Sequence, residues 1–262
     1  MIWKLRILLF YTLISLVMVS FFILFWLPLQ FIPSSFKLRY RLAVFFSYIF
    51  IHLMWIICSI KYNVEGIEKI PTNGKPILAL SNHQSFWENF FVQLIIPMHT
   101  WVIKKELYDI PVFGPSLKTV EPIAVDRTKT NSVSQILEEG SKKIANGISI
   151  VMFPESTRVK ATSSVKFKPS AAKLALDTST PILLFAHNAG LVWPKGFWFS
   201  RPGTVKVKII EYISKEQLSK FSDPRELTEY IQEKINNEKT ILVNQGVTRL
   251  NKNSNHNITR TI

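Results

Sequence analysis

In the stretch Ser81-Asn-His-Gln-Ser-Phe-Trp-Glu88, an imidazole and a carboxylate stand five residues apart, directly after the apolar run Pro76–Leu80. A histidine that donates one ring nitrogen's proton to a carboxylate can take a proton at the other nitrogen, because the carboxylate fixes the tautomer and favours the imidazolium that forms. Such a base contributes about 10²–10⁴ in rate. Five residues of regular helix turn through about 500°, which sends the two side chains to different faces. His83 and Glu88 can therefore meet only if His83 lies in the turn before a helix. Ser85-Phe86-Trp87-Glu88 has the S-x-x-E form of a capping box, which would start that helix at Ser85. The box also supplies a second reading, in which Glu88 only caps Ser85 and His83 is a satisfied loop histidine.

The other candidates are fewer. His187 stands at a strand end with no acidic residue near it in sequence and reads as structural or supporting; His52, His99 and His256 have no motif around them. No G-x-S-x-G elbow, phosphate loop, zinc spacing or dinucleotide fingerprint is present, so a serine nucleophile, a resident metal and a nicotinamide cofactor are not expected.

Short apolar runs that alternate with helical patterns from Lys61 onward position these groups, the signature of an α/β core. Strands are expected at Ile60–Val64, Ile77–Ser81, Trp101–Lys104, Glu121–Val125, Ile148–Phe153, Ile182–Ala186 and Val205–Ile210. Helices are expected at Ser85–Ile95, Ser132–Ala145, Pro169–Leu176 and, amphipathic and charged, Arg225–Asn237. The expected division is an N-terminal element over residues 1–60, the α/β domain over 61–240, and a polar, disordered tail over 241–262.

The N-terminal element is apolar enough for a bilayer. No charged residue lies between Arg6 and Lys37, and Ile7–Leu27 could cross a hydrocarbon core of roughly 30 Å. The run ends without an A-x-A-like site, so an anchor is expected rather than a cleaved signal. A second run covers Leu42–Ile60. Two full crossings would leave Lys37, Arg39 and Arg41 on the side opposite the domain, against the positive-inside tendency. A two-helix element within the cytoplasmic leaflet avoids this. Residues 1–63 carry six basic side chains and no acidic one, and residues 101–208 carry sixteen against eight. On an anchored chain that excess favours anionic lipid and phosphorylated substrates over nucleic acid, for which no recognition motif is present.

The ordered motifs carry a family resemblance. "NHQSFWE" resembles the first motif of the glycerolipid acyltransferases, Asn-His-x4-Asp; "IKKELYDIPVFG", "EPIAVDR", "FPESTR" and "TPILLFAHN" resemble their later blocks in the same order, over roughly residues 60–210. The resemblance is strongest to the bacterial 1-acyl-sn-glycerol-3-phosphate acyltransferases. It implies a mixed central sheet flanked by helices behind a two-helix membrane anchor, and a membrane-bound O-acyltransferase on the cytoplasmic face of the inner membrane. It implies His83 as base and Glu88 as its orienting partner in acyl transfer from acyl-CoA or acyl-carrier protein to the sn-2 hydroxyl of lysophosphatidic acid, with no cofactor. Arg127, Arg158 and Lys105 would bind the acceptor phosphate, Glu155, Ser156 and Thr157 would form the acceptor loop, and Pro181 would shape the acyl side.

Three positions depart from the family pattern. Glu88 replaces Asp, Ser156 replaces a glycine and so makes any positive-φ backbone costly, and Pro169-Ser170 follow Phe167-Lys168 where the family has x-Gly. Two other readings stay open: the same chemistry on a different lyso-lipid acceptor, and a non-catalytic scaffold that binds anionic lipid.

Overall fold

The computed structural model of the chain describes residues 2–126, 131–199 and 201–258. Seven strands form one sheet in the order β1-β7-β6-β2-β5-β3-β4, with β1 Ile60–Glu65, β2 Leu78–Ser81, β3 His99–Lys104, β4 Ile123–Val125, β5 Ser149–Met152, β6 Ile182–His187 and β7 Gly203–Ile213. β4, β3, β5, β2 and β6 are parallel; β7 is antiparallel to β6, and β1 runs parallel to β7. The expected mixed sheet is present, and all seven expected strands exist with ends shifted by a few residues.

The central strands are buried throughout, as their near-continuous apolar sequences require. Alternation along β2 sends Ala79 to one face and Leu78 and Leu80 to the other. The first face packs on the N-terminal helices α1 (Ile2–Phe21) and α2 (Phe36–Cys58) and on α3 (Trp87–Ile95). After α3 come α4 (Phe113–Lys118), α5 (Ser132–Ala145), α6 (Ser170–Thr178), α7 (Lys215–Leu218) and α8 (Pro224–Ile258). α5, α6 and α8 cover the second face.

α1 continues through a π turn (Phe22–Trp26) to Pro28, and the chain returns along α2, whose N-terminus is capped by the Ser35 hydroxyl. The pair does not project from the domain. At one end Trp3 Nε1 donates to Phe199 O at 3.3 Å. At the other, Arg39 pairs with Glu121 and donates to Thr119 O at 2.8 Å, and the Tyr40 hydroxyl donates to Ile96 O at 3.1 Å. α2 is about 34 Å long and touches the domain at both ends, so the hairpin lies lengthwise against it. Its outer side exposes Leu5, Leu16, Leu24, Phe45 and Ile56.

One boundary differs from expectation. The amphipathic helix expected to end at Asn237 continues as α8 to Ile258, through much of the segment read as a disordered tail. Leu242 and Val243 are buried, and the Leu242 carbonyl accepts from Asn188 Nδ2 at 3.1 Å. Around Leu242 and Val243, tertiary packing on one face, invisible in composition, holds the helix.

Candidate active site

β2, β5 and β6 end side by side, and the residues that follow them meet there. After β2 the chain makes a short turn and begins α3 at Trp87, two residues later than the capping box suggested. Glu88 is fully buried, and its Oε1 accepts from Gln84 N, Ser85 N and His83 Nδ1, each at 2.8 Å. The two readings of Glu88 thus coexist: it caps the turn and holds the histidine with the same oxygen. Burial opposes its charge, but His187, the His83 ring and the Ser85 N–H together outweigh that and hold the carboxyl below its usual range.

With Nδ1 committed to Glu88, Nε2 of His83 is the nitrogen left to act as base. The ring stacks on Phe153, centroids 4.3 Å apart and planes 13° apart, and lines a cavity of about 480 Å³. The loop after β5 fixes the histidine's backbone: Glu155 Oε2 accepts from His83 N at 2.8 Å and Val159 N donates to His83 O at 2.8 Å. Asn82 Nδ2 donates to His187 O and its Oδ1 accepts from His187 N, both at 3.0 Å, so its amide extends the β2–β6 pairing past the strand. His187 is buried; its Nδ1 accepts from Ala189 N, which leaves the proton on Nε2 to be donated to Asn82 O at 2.9 Å. Burial lowers its pKa, and its Nε2 stands 3.9 Å from Glu88 Oε1. It supports the pair rather than competing as a base, as its sequence setting suggested.

Lys104, Arg158, Lys168 and Lys195 line the same cavity, and among the described residues no Asp or Glu does. The far wall is apolar, with Met18, Trp26, Ala43 and Phe46 of the hairpin and Phe90 of α3. One cavity thus joins a proton acceptor, a cluster of cations and an apolar arm. Forked and point cations suit a phosphate, and the arm suits a hydrocarbon chain.

The acyltransferase family model matches residues 61–187. A 1-acyl-sn-glycerol-3-phosphate acyltransferase of Pseudomonas aeruginosa is 37% identical over 209 residues, spanning 78% of this chain and 79% of that protein. The chain belongs to the acyltransferase family. Another relative with the same description, from Limnanthes douglasii, is 30% identical over 180 residues, or 68% of this chain and 63% of that protein. The fold matches the crystal structure of the 1-acyl-sn-glycerophosphate acyltransferase PlsC from Thermotoga maritima, with a TM-score of 0.72 and 22% identity over 92% of this chain and 97% of that one.

In this acyltransferase the expected site residues divide. His83, Ser156, Thr157 and Arg158 line the cavity. Arg127 lies outside the described residues. Lys105 does not line the cavity; it borders a separate surface hollow with Glu106 and Asp109, and Lys104 takes the cavity side. β3 ends at Lys104, and Lys105 opens the 3-10 turn Lys105–Asp109, which takes its side chain off the cavity. Pro181 is also displaced. It precedes β6 and its carbonyl accepts from Leu78 N at the start of β2, about 17 Å of strand from the catalytic end. The apolar wall of the cavity is formed by the hairpin, α3 and α4. Glu155, expected to meet the acceptor, is spent on the His83 backbone, and burial pushes its carboxyl up to about 7. Ser156 adopts φ +59°, the left-handed backbone its replacement of glycine made costly. Lys195 was missed because nothing local in its loop signals proximity to His83.

Proposed function

We propose that this acyltransferase moves an acyl chain from a thioester, carried by CoA or by acyl-carrier protein, to the sn-2 hydroxyl of 1-acyl-glycerol-3-phosphate, giving phosphatidic acid. His83 Nε2 takes the hydroxyl proton as the oxygen attacks the thioester carbonyl, and Glu88 stabilises the imidazolium through Nδ1–H. A new C–O bond forms, the C–S bond breaks, and the departing thiolate receives the proton from His83. No covalent enzyme intermediate and no cofactor is needed. Arg158 and Lys168 hold the acceptor phosphate, each charge-assisted hydrogen bond contributing roughly 1.5–3 kcal/mol. The observation that carries this reading is the His83–Glu88 pair at 2.8 Å, opening onto a cavity lined by cations and no acid among the described residues.

The reading includes a membrane. The apolar outer side of α1 and α2 would lie in the cytoplasmic leaflet of the inner membrane, which suits a hairpin docked at both ends on its own domain better than one that crosses and returns. The bilayer would then deliver the lyso-acceptor and retain the two-chain product without extraction.

Purified protein given lysophosphatidic acid and labelled acyl-CoA or acyl-carrier protein tests the chemistry. Thioester-dependent product is expected from the wild type and absent from His83→Ala; equal traces from both would remove the reading in favour of a lipid-binding scaffold. Arg158→Ala should raise the acceptor KM far more than that of the thioester, and an unchanged acceptor KM would reassign that arginine.

A further inference from the structure

The loop Pro194–Phe199 between β6 and β7 carries Phe197 and Trp198, each about half exposed, between the buried side chains of Trp193 and Phe199. It is seated on the N-terminal half of α1. The Tyr11 hydroxyl donates to Phe197 O at 2.6 Å and its ring stacks on that of Phe197, centroids 4.2 Å apart. The Lys4 ammonium stands 5.8 Å from the centre of the Trp198 ring. Lys4, Leu8 and Tyr11 share one face of α1 by their spacing, and Leu8 is exposed, so the two loop aromatics border the hairpin's exposed apolar side. Gly196, at φ +138°, makes the turn that presents them.

The loop also reaches the site. Lys195 lines the His83 cavity, and Trp193 at the loop's root packs on Phe86, three residues after His83. The charges around it have one sign: Lys4, Arg6, Lys195 and Arg201 are the cations, and neither residues 1–64 nor 178–210 contain an Asp or Glu. Exposed Trp and Phe beside unopposed cations, continuous with an apolar helix face, match the interfacial layer of a bilayer, where aromatic rings sit at headgroup level and basic side chains meet phosphate.

We propose that the Pro194–Phe199 loop is a third membrane contact besides the two helices, in which Phe197 and Trp198 enter the interface of an anionic leaflet and hold Lys195 at the level of the lipid phosphates. An acceptor arriving within that leaflet then meets Lys195 first, at the mouth of the cavity. The proposal rests on the reading that the hairpin lies in a leaflet, and the experiment separates the two.

In a Cys58→Ser background, full-length protein with a single cysteine from Trp198→Cys, Leu24→Cys or Lys220→Cys is labelled with a fluorophore and reconstituted into phosphatidylcholine–phosphatidylglycerol vesicles containing lipids with a nitroxide at shallow or deep positions. Quenching at 198 mainly by the shallow nitroxide, quenching at 24, and none at 220 are expected. Quenching at 24 with 198 no more quenched than 220 overturns the loop contact and leaves the hairpin reading standing; no quenching at either 24 or 198 overturns both. As a second measure, the Phe197→Ser/Trp198→Ser variant should show a several-fold higher acceptor KM in anionic vesicles and an unchanged one in detergent. An equal loss in both media would assign the loop a purely structural role and overturn the proposal.

Discussion

Glu155 shows how a buried side chain in a motif acquires a role that only its neighbours reveal. One carboxylate oxygen accepts from the His83 backbone, the other is buried with no partner among the described residues, and burial pushes the pKa from 4.5 to about 7. Because the native state binds this proton more tightly than the unfolded chain, the group's contribution to stability is complete below about pH 4.5 and is lost as the pH rises through about 7. Glu155→Gln removes that dependence. Thermal unfolding at about pH 5 and about pH 8 should therefore show the variant gaining on the wild type at the higher pH, and a constant difference would mean that Glu155 does not titrate in this range. Ser156, next to it, holds a left-handed backbone at φ +59°. Ser156→Gly relieves a cost of roughly 1–2 kcal/mol and adds unfolded-state entropy of about 0.5–1 kcal/mol. A net stabilisation of about 0.5 kcal/mol by denaturant titration is the expected result.

Whole elements decide what the cavity can accept. The apolar arm exists only because α1 and α2 fold back on the domain, with Arg39 tied to Glu121 and Thr119 and the Phe50 ring stacked on Phe90 of α3, centroids 3.8 Å apart. Met18, Trp26, Ala43 and Phe46 therefore bound the arm, and the hairpin is part of the cavity wall. Ala43→Phe places a ring where a methyl group stands and should shorten the preferred acyl chain in a donor panel run against one acceptor, with little effect on the acceptor's headgroup affinity. An unchanged chain-length profile would move the acyl arm elsewhere. The segment Ile103–Gly114 has a comparable local logic. A Cβ at Gly114 would stand 2.1 Å from the Tyr108 carbonyl oxygen, so only glycine lets this chain fold back to start α4 beside the cavity.

At the scale of the molecule, α8 reaches the site from outside every motif. Lys239 is buried on its inner face and donates to Ser163 O at 2.9 Å and Ser164 Oγ at 3.0 Å, in the loop that leads from the catalytic end of β5 to α6. Gln232, seven residues earlier, accepts from Phe167 N at 2.7 Å in the same loop. The Lys239 charge also lowers the pKa of Glu155 against the larger effect of burial. Lys239→Met should therefore move the Glu155-dependent fall in thermal stability to higher pH, with Lys239→Arg restoring most of the shift. A pH dependence that keeps its position while overall stability falls would reduce Lys239 to a packing role.

The sequence by itself determined the strands and the apolar hairpin, because each is written in local periodicity, and it set the condition that His83 and Glu88 could meet only across a turn before a helix. Which lysine faces the cavity, where Pro181 lies along its strand, what Glu155 bonds and how far α8 runs were decided by tertiary structure alone. Those answers depend on where strands end and on partners far apart in sequence. The contact between Glu155 and the His83 backbone spans 72 residues, and that between Lys239 and Ser163 spans 76.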